Sequence, residues 1–213
     1  MSSSFWLLLA GVAAVNLMGA ASPGPAFFVV SRTAIGQGRR IGLATAAGVV
    51  LATLIWAFGT IHGLSLLLAR AAWLLHLLQV AGGAYLLYLA WQAIRHAGEP
   101  LATAEPDART AGLAQAFRRG FITNMANPKI AVFFGSVFAT VYGPGMPEWV
   151  NLAVLGVIFL DEIVWYSLVV LAFSSRPARA AYARAKRWID RSFGALLGVF
   201  GLKLLSNLRA FAP

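Results

Sequence analysis

The sequence predicts an all-α integral membrane protein with six transmembrane helices, of which the first and fourth are broken at proline motifs. Composition is the first observation behind this prediction. Apolar residues make up 60% of the 213 residues and charged residues only 11%, whereas soluble domains average about 25% charged residues. A water-soluble fold of this size cannot bury so much apolar surface, and a disordered chain requires low hydrophobicity and high charge.

The second observation is a series of six apolar runs, each long enough for a transmembrane helix of about 20 residues. Nothing basic precedes the first run, which is also longer than the apolar part of a signal peptide, so we expect it to be retained. The sixth run is the weakest, because Lys203 interrupts it. The runs are Phe5–Val30, Ile41–Leu68, Ala71–Ile94, Phe121–Tyr142, Trp149–Phe173 and Phe193–Phe211.

The distribution of basic residues is the third observation. Most of the 17 Lys and Arg residues lie after the first, third and fifth runs. By the positive-inside rule these segments are cytoplasmic loops, and we expect both termini on the extracytoplasmic side of the cell membrane. The net charge of +10 is therefore assigned to topology, not to binding of nucleic acid. The arginine-rich segment 176–191 either only fixes topology or lies as an amphipathic helix on anionic lipid.

Two proline motifs interrupt the apolar runs. Ser22-Pro23-Gly24-Pro25 lies in the first run and Asn127-Pro128-Lys129 lies in the fourth. Each proline removes a backbone donor, and in a bilayer the freed carbonyls need neighbouring helices or cavity water. We therefore predict that both motifs line a path, the alternative being two ordinary proline kinks.

The segments around the two motifs match each other at a constant offset of 105 residues. An offset near half the chain predicts one transporter domain made of two inverted three-helix repeats, about 1–94 and about 120–213, joined by a cytoplasmic loop at about 95–119. Interrupted helices at matching positions of inverted repeats indicate a transporter binding site. The matching pairs are Ala21/Ala126, Pro23/Pro128, Ala26/Ala131, Phe28/Phe133 and Ser31/Ser136.

Ionisable residues inside the runs are the candidate functional groups. Lys129 follows a helix break, where restarted N–H groups also favour anions such as a carboxylate; snorkelling to the headgroups is the alternative. Asp161 and Glu162 lie in the middle of the fifth run, about 100° apart on a helix, so they do not face one cavity equally. Each is a candidate proton carrier, or a partner for Lys129 or a substrate ammonium, unless the pair only ties helices together.

Three polar side chains are candidates to complete a cavity, although interhelical hydrogen bonding is an equal alternative for each. They are Asn16, Asn124 and Tyr166. The small-residue pairs Gly59/Gly63 and Gly194/Gly198 are spaced for close helix approach, within the bundle first and in a homodimer second.

No catalytic constellation is present in the sequence. It contains no GxSxG, no HExxH and no Cys, and its three His residues lack ligand spacing. We therefore predict a protein that is not an enzyme, with no cofactor, no metal site and no disulfide. The alternatives left open are efflux of another small solute, a metal ion or a drug, and, behind these, a membrane enzyme.

The order of the motifs along the chain resembles the LysE/RhtB family of amino-acid exporters. This resemblance implies proton-driven export of amino acids or their derivatives from the cytoplasm, with Asp161 as the first choice for coupling. The family often has Asn directly after the first motif, where this chain has Ala26. The motifs are Ser22-Pro-Gly-Pro25, Gly36-Gln-Gly-Arg-Arg-Ile-Gly42, Gly82-Gly-Ala-Tyr-Leu-Leu-Tyr-Leu89 and Asn127-Pro-Lys129.

Overall fold

Every regular element that the computed structural model describes is a helix. It describes residues 3–22, 24–70, 72–97, 112–134 and 146–206, and within them the all-α prediction is confirmed. The helices are α1 (Ser3–Ala21), α2 (Pro25–Arg70), α3 (Ala72–Arg95), α4 (Leu113–Met125), α5 (Pro128–Val132), α6 (Glu148–Phe173) and α7 (Arg176–Ser206).

Two described helical segments are long and apolar enough to cross a membrane. They are Pro25–Gly63, with 39 residues, and Glu148–Phe173, with 26. The shorter helix Phe5–Ala21 is also apolar. The predicted third and fifth spans match α3 and α6 to within one residue at each end, because their boundaries coincide with abrupt changes in composition.

Helix ends occur at both proline motifs. α1 ends at Ala21 and α2 begins at Pro25, while α4 ends at Met125 and α5 begins at Pro128. Proline is well suited to the first helical position, where its missing N–H has no partner to lose. Of the predicted fourth span, residues 135–142 lie outside the described part of the chain.

The loop predicted after the first run is wrong, because residues 32–40 are helical. The basic segment after the fifth run is helical as well, in agreement with the helical one of its two alternatives. α2 continues through residues 32–40 and is only kinked at Gly38, whose φ of 81° is accessible to glycine at little cost. α7 begins at Arg176 and runs without interruption into the predicted sixth span. Arg, Lys and Ala are good helix formers, so a cluster of basic residues does not by itself end a helix.

Glycines set the closest helix contacts. A Cβ at Gly48 of α2 would overlap the Phe117 carbonyl oxygen of α4, and one at Gly120 of α4 would overlap the Thr45 carbonyl oxygen of α2. At Gly194 of α7, a Cβ would lie 3.0 Å from the Ala90 carbonyl oxygen of α3. These glycines let the backbones of α2 and α4, and of α3 and α7, touch.

The two predicted small-residue pairs differ in their surroundings. Gly194 and Gly198 both pack against α3 at Ala90, as expected for contacts within the bundle. A Cβ at Gly59 or Gly63 would meet no described atom within 4 Å. Packing within the described bundle therefore does not account for this second pair, and its use in a homodimer stays a prediction.

Two apolar clusters form the core. The first joins α1, the later part of α2, α3 and α6 to Phe133 and Phe134 after α5. The second joins the beginning of α2, residues 26–34, to the C-terminal half of α6. α6 contributes to both through one buried stripe, and Glu162 lies at the centre of that stripe: Val154, Ile158, Glu162, Tyr166 and Val170.

Candidate substrate cavity

The first helix break exposes the end of α1 to the interior of the bundle. Ser22 is buried, at 2% exposure, and its N–H donates to the Met18 carbonyl oxygen at 3.1 Å. Carbonyls in the last turn of a helix have no partner within it. Pro23 lies outside the described residues, so its predicted role stays a prediction.

The second helix break is held by a side-chain cap. The Asn127 Oδ1 atom accepts a hydrogen bond of 3.1 Å from the Lys129 N–H, and Pro128 occupies the first position of α5. An Asn cap satisfies one of the unpaired N–H groups at a helix start. The predicted break at this motif is thus a restart of the helix with a defined geometry.

Lys129 joins the two breaks. Its Nζ atom donates a 2.6 Å hydrogen bond to the Ser22 carbonyl oxygen, and the residue is only 9% exposed. Gly24 packs against the same side chain, since a Cβ there would lie 3.4 Å from the Lys129 Cδ atom. The ammonium therefore lies inside the bundle, and the snorkelling alternative does not describe this conformation.

The two neighbouring carboxylates of α6 occupy different environments. Glu162 is 3% exposed and accepts a 3.0 Å hydrogen bond at Oε2 from the Thr53 hydroxyl of α2. Asp161 is partly exposed, and its Oδ2 atom accepts from Asn16 Nδ2 at 3.4 Å. As their 100° separation on the helix predicts, only one carboxylate, Glu162, lies on the inward stripe.

A cavity lies where the breaks and α6 meet. Lys129 and Glu162 both line it, and their charges are close enough to attract each other. Of the predicted site residues, Pro25, Pro128 and Asp161 do not line the cavity, whereas seven do: Asn16, Gly24, Asn124, Asn127, Lys129, Glu162 and Tyr166.

The sequence analysis missed Thr53, which lines the cavity and is 1% exposed. Its span contains other hydroxyls, such as Thr45 and Thr60, which bond to carbonyls of their own helix. Hydroxyls commonly bond in this way within helices. Nothing in the sequence distinguishes Thr53 from them, so only its position opposite Glu162 shows it as a site residue.

Comparison with known proteins places the chain in a family. The model of the LysE type translocator family matches residues 17–208. The chain belongs to this family. It is therefore a membrane transport protein, in agreement with its long apolar helices, and the resemblance seen in the sequence motifs is confirmed. No solved structure matches the chain.

Named relatives of this LysE-type translocator cover almost its full length. It is 33% identical over 201 residues to the threonine efflux protein of Escherichia coli K12. The aligned region covers 93% of this chain and 98% of the relative. It is 32% identical over 201 residues to the threonine efflux protein of Salmonella typhi, with the same coverage. It is 30% identical over 192 residues to the homoserine/homoserine lactone efflux protein of Salmonella typhimurium. This aligned region covers 89% of this chain and 91% of the relative.

The chemistry of the cavity suits a small zwitterion. Lys129 offers a cation, and Ala26 and Phe27 line the cavity from the first turn of α2, where backbone N–H groups favour an anion. Glu162 offers an anion in the same cavity.

Proposed function

We propose that this LysE-type translocator is a secondary transporter that exports amino acids or their close derivatives from the cytoplasm by proton antiport. The observation that carries the proposal is the pair of opposite charges, Lys129 and Glu162, buried in one cavity between two helix breaks. The names of its relatives, efflux proteins for threonine and for homoserine and its lactone, support the substrate class.

The substrate carboxylate binds at Lys129 and at the first-turn amides of Ala26 and Phe27. In the empty transporter the Lys129 ammonium donates to the Ser22 carbonyl. A carboxylate is the stronger acceptor, because charge-assisted hydrogen bonds are about twice as strong as neutral ones. Substrate binding therefore draws Lys129 from Ser22, which breaks the hydrogen bond between its ammonium and the first break.

The substrate ammonium binds at Glu162, and this makes proton exchange possible. A buried carboxylate requires either a proton or a cation as its partner. Glu162 holds one of the two at a time, so release of the amino acid outside is followed by uptake of a proton. Return of that proton to the cytoplasm completes the antiport cycle.

The geometry makes Glu162 the first candidate for coupling, in place of the family-based preference for Asp161. Glu162 lines the cavity, whereas Asp161 is outside the lining and is bonded to Asn16. The two acidic residues thus have different surroundings: Glu162 lines the cavity, and Asp161 is hydrogen-bonded to α1. Asp161 is kept as the matched comparison in the experiments below.

Six spans in two inverted repeats, with both termini extracytoplasmic, belong to this proposal. Support comes from the offset of 105 residues, at which Ser22 corresponds to Asn127 and Gly24 to Lys129. Lys129 contacts both residues of the first break, as expected if a pseudo-twofold axis passes between the breaks. The distribution of basic residues supports the orientation in the cell membrane.

The test is efflux from cells loaded with amino acids through dipeptide feeding, with and without expression of the protein. We expect one or a few amino acids to appear faster in the medium, and an uncoupler to stop this. Glu162→Gln should abolish the gradient-driven part, while Asp161→Asn should retain most of it. If the folded protein moves no amino acid, the substrate belongs to another class of small solute, metal ion or drug, and the proposal fails.

A further inference from the structure

A chain of hydrogen bonds runs from the second helix break to Glu162. The Lys129 N–H donates to Asn127 Oδ1 at 3.1 Å, and Asn127 Nδ2 donates to Asn124 Oδ1 at 3.4 Å. Asn124 Nδ2 donates to Thr53 Oγ1 at 2.9 Å, and the Thr53 hydroxyl donates to Glu162 Oε2 at 3.0 Å. All four side chains are buried.

Two backbone groups fix the direction of this chain of hydrogen bonds. A backbone N–H only donates, so the Asn127 oxygen must face Lys129 and its amide nitrogen must face Asn124. The Val49 carbonyl only accepts, and it lies 2.9 Å from Asn124 Nδ2, so the Asn124 nitrogen must face α2. Each amide orientation therefore follows from its partners, and every donor points towards Glu162.

Thr53 has one hydroxyl proton and two acceptors within reach. They are Glu162 Oε2 at 3.0 Å and the Val49 carbonyl at 3.2 Å. An ionised carboxylate is a stronger acceptor than a neutral carbonyl, so the Thr53 proton goes to Glu162 Oε2 when Glu162 is ionised. When Glu162 holds a proton, the hydroxyl can turn to Val49, so both states of the site keep their hydrogen bonds.

The other groups facing Glu162 come from the remaining elements around it. Lys129 of α5 and Asp161 and Tyr166 of α6 interact with its charge. Asn16 of α1 also lines the cavity and donates to Asp161. Thr53 is the hydroxyl of α2 in this set and the last link of the directed chain. Its removal changes one hydrogen bond to the carboxylate and leaves these neighbouring groups in place.

We propose that Thr53 is a positioning residue for proton exchange at Glu162, holding the ionised carboxylate ready for the substrate ammonium through the chain that begins at the cap of α5. This rests on the proposed function, because it assumes that Glu162 carries the exchanged proton. A hydrogen bond to the charged form favours that form. Loss of the hydroxyl therefore lets Glu162 take up a proton at higher pH.

The experiment is an infrared titration of the full chain in lipid, which needs no substrate. The carboxylic-acid band that disappears in Glu162→Gln identifies the protonated form of Glu162. We expect its midpoint to move up by about one pH unit in Thr53→Val, a tenfold change in proton affinity. Thr53→Ser, which keeps the hydroxyl, should titrate like the wild type.

Thr45→Val is the matched control, because Thr45 is also buried in α2 but donates only to the Ile41 carbonyl of its own helix. Should Thr53→Val fail to fold, Thr53→Ala replaces it with the same expectation. An unchanged midpoint on loss of the Thr53 hydroxyl, or an equal shift in Thr45→Val, overturns the inference. If Glu162→Gln removes no titrating band, Glu162 carries no exchangeable proton, and the proton step of the proposed function fails with it.

Discussion

The Lys129 ammonium donates a 2.6 Å hydrogen bond to the Ser22 carbonyl, two residues 107 positions apart in the chain. Each belongs to one of the two proline-marked helix breaks, so one contact joins the end of α1 to the beginning of α5. A cation at a helix C-terminus is also favoured by the helix dipole. Because the same ammonium lines the cavity, a bound substrate competes directly with the contact that ties the breaks together.

Lys129→Ala should raise the apparent KM for amino-acid efflux by about tenfold or more. A hydrogen bond to a charged group is worth about 1.5–3 kcal/mol, and about 1.4 kcal/mol corresponds to a factor of ten. The measurement is efflux, across a concentration series, of an amino acid that the efflux test identifies as a substrate. Lys203→Ala is the control, because Lys203 is exposed in the last turn of α7. An equal apparent KM for Lys129→Ala and wild type would show that Lys129 does not bind the substrate.

Gly120→Ala should lower the stability of the bundle by about 1–3 kcal/mol, the usual cost of overpacking. Its Cβ would overlap the Thr45 carbonyl, which forces α2 and α4 apart. Gly156→Ala in α6 is the matched control, since a Cβ there meets no described atom within 4 Å. The apparent melting temperature in detergent should fall for Gly120→Ala only; a fall of the same size in both variants would contradict close α2–α4 packing.

Tyr182→Ala should open the cavity towards the cytoplasm. The Tyr182 ring packs on Phe173, with centroids 4.7 Å apart, and on the cavity residue Phe27 at 5.9 Å. The sequence has no Cys, so Ala26→Cys, which lines the cavity, supplies a single thiol. We expect a membrane-impermeant thiol reagent to label it faster from the cytoplasmic side in the Tyr182→Ala background.

The control for this labelling is Tyr88→Ala, because Tyr88 is exposed on α3 and outside the cavity lining. Labelling at the wild-type rate in the Tyr182→Ala background would show that these rings do not close the cytoplasmic side.

Asp190 should make stability fall as the pH rises. It lies three residues before the predicted sixth span, and burial raises the pKa of its carboxyl above 3.8, more than Lys186 at 2.6 Å lowers it. Since the folded-state pKa exceeds the unfolded one, the folded chain holds this proton more tightly. The contribution is complete below the unfolded pKa and is lost as the pH rises through the folded pKa.

The measurement for Asp190 is the apparent melting temperature of wild type and Asp190→Asn from about pH 4 to about pH 8, a range above the ordinary Asp pKa. The wild type should lose stability relative to the variant in the lower part of this range. A constant difference, or one that grows in favour of the wild type, would contradict this sign.

Much of the architecture could be predicted from the sequence because its signals are local. Proline fixes where a helix can start, so α2 and α5 begin at Pro25 and Pro128. The ends of α3 and α6 follow sharp changes in composition. The continuous helix through residues 32–40 could not be predicted from charge, because Arg is compatible with a helix and the kink depends on one torsion angle at Gly38.

The site was less accessible to sequence reasoning than the fold. Lys129 and the acidic pair are conspicuous because ionisable residues are rare in apolar spans. Which carboxylate faces the cavity depends on the rotation of α6, which packing against α1 and α2 determines. Thr53 could not be recognised, since its contact with Glu162 joins residues 109 positions apart.

The most direct test of the central claim, that an amino acid and a proton exchange at Glu162, is transport by purified protein in sealed vesicles. A pH gradient is imposed, and the movement of an amino acid that the efflux test identifies as a substrate is measured together with the proton flux for wild type, Glu162→Gln and Asp161→Asn. We predict that the gradient drives movement of this amino acid with opposing proton flux in the wild type and in Asp161→Asn, and that Glu162→Gln loses both. Gradient-driven transport by Glu162→Gln at the wild-type rate would contradict the account.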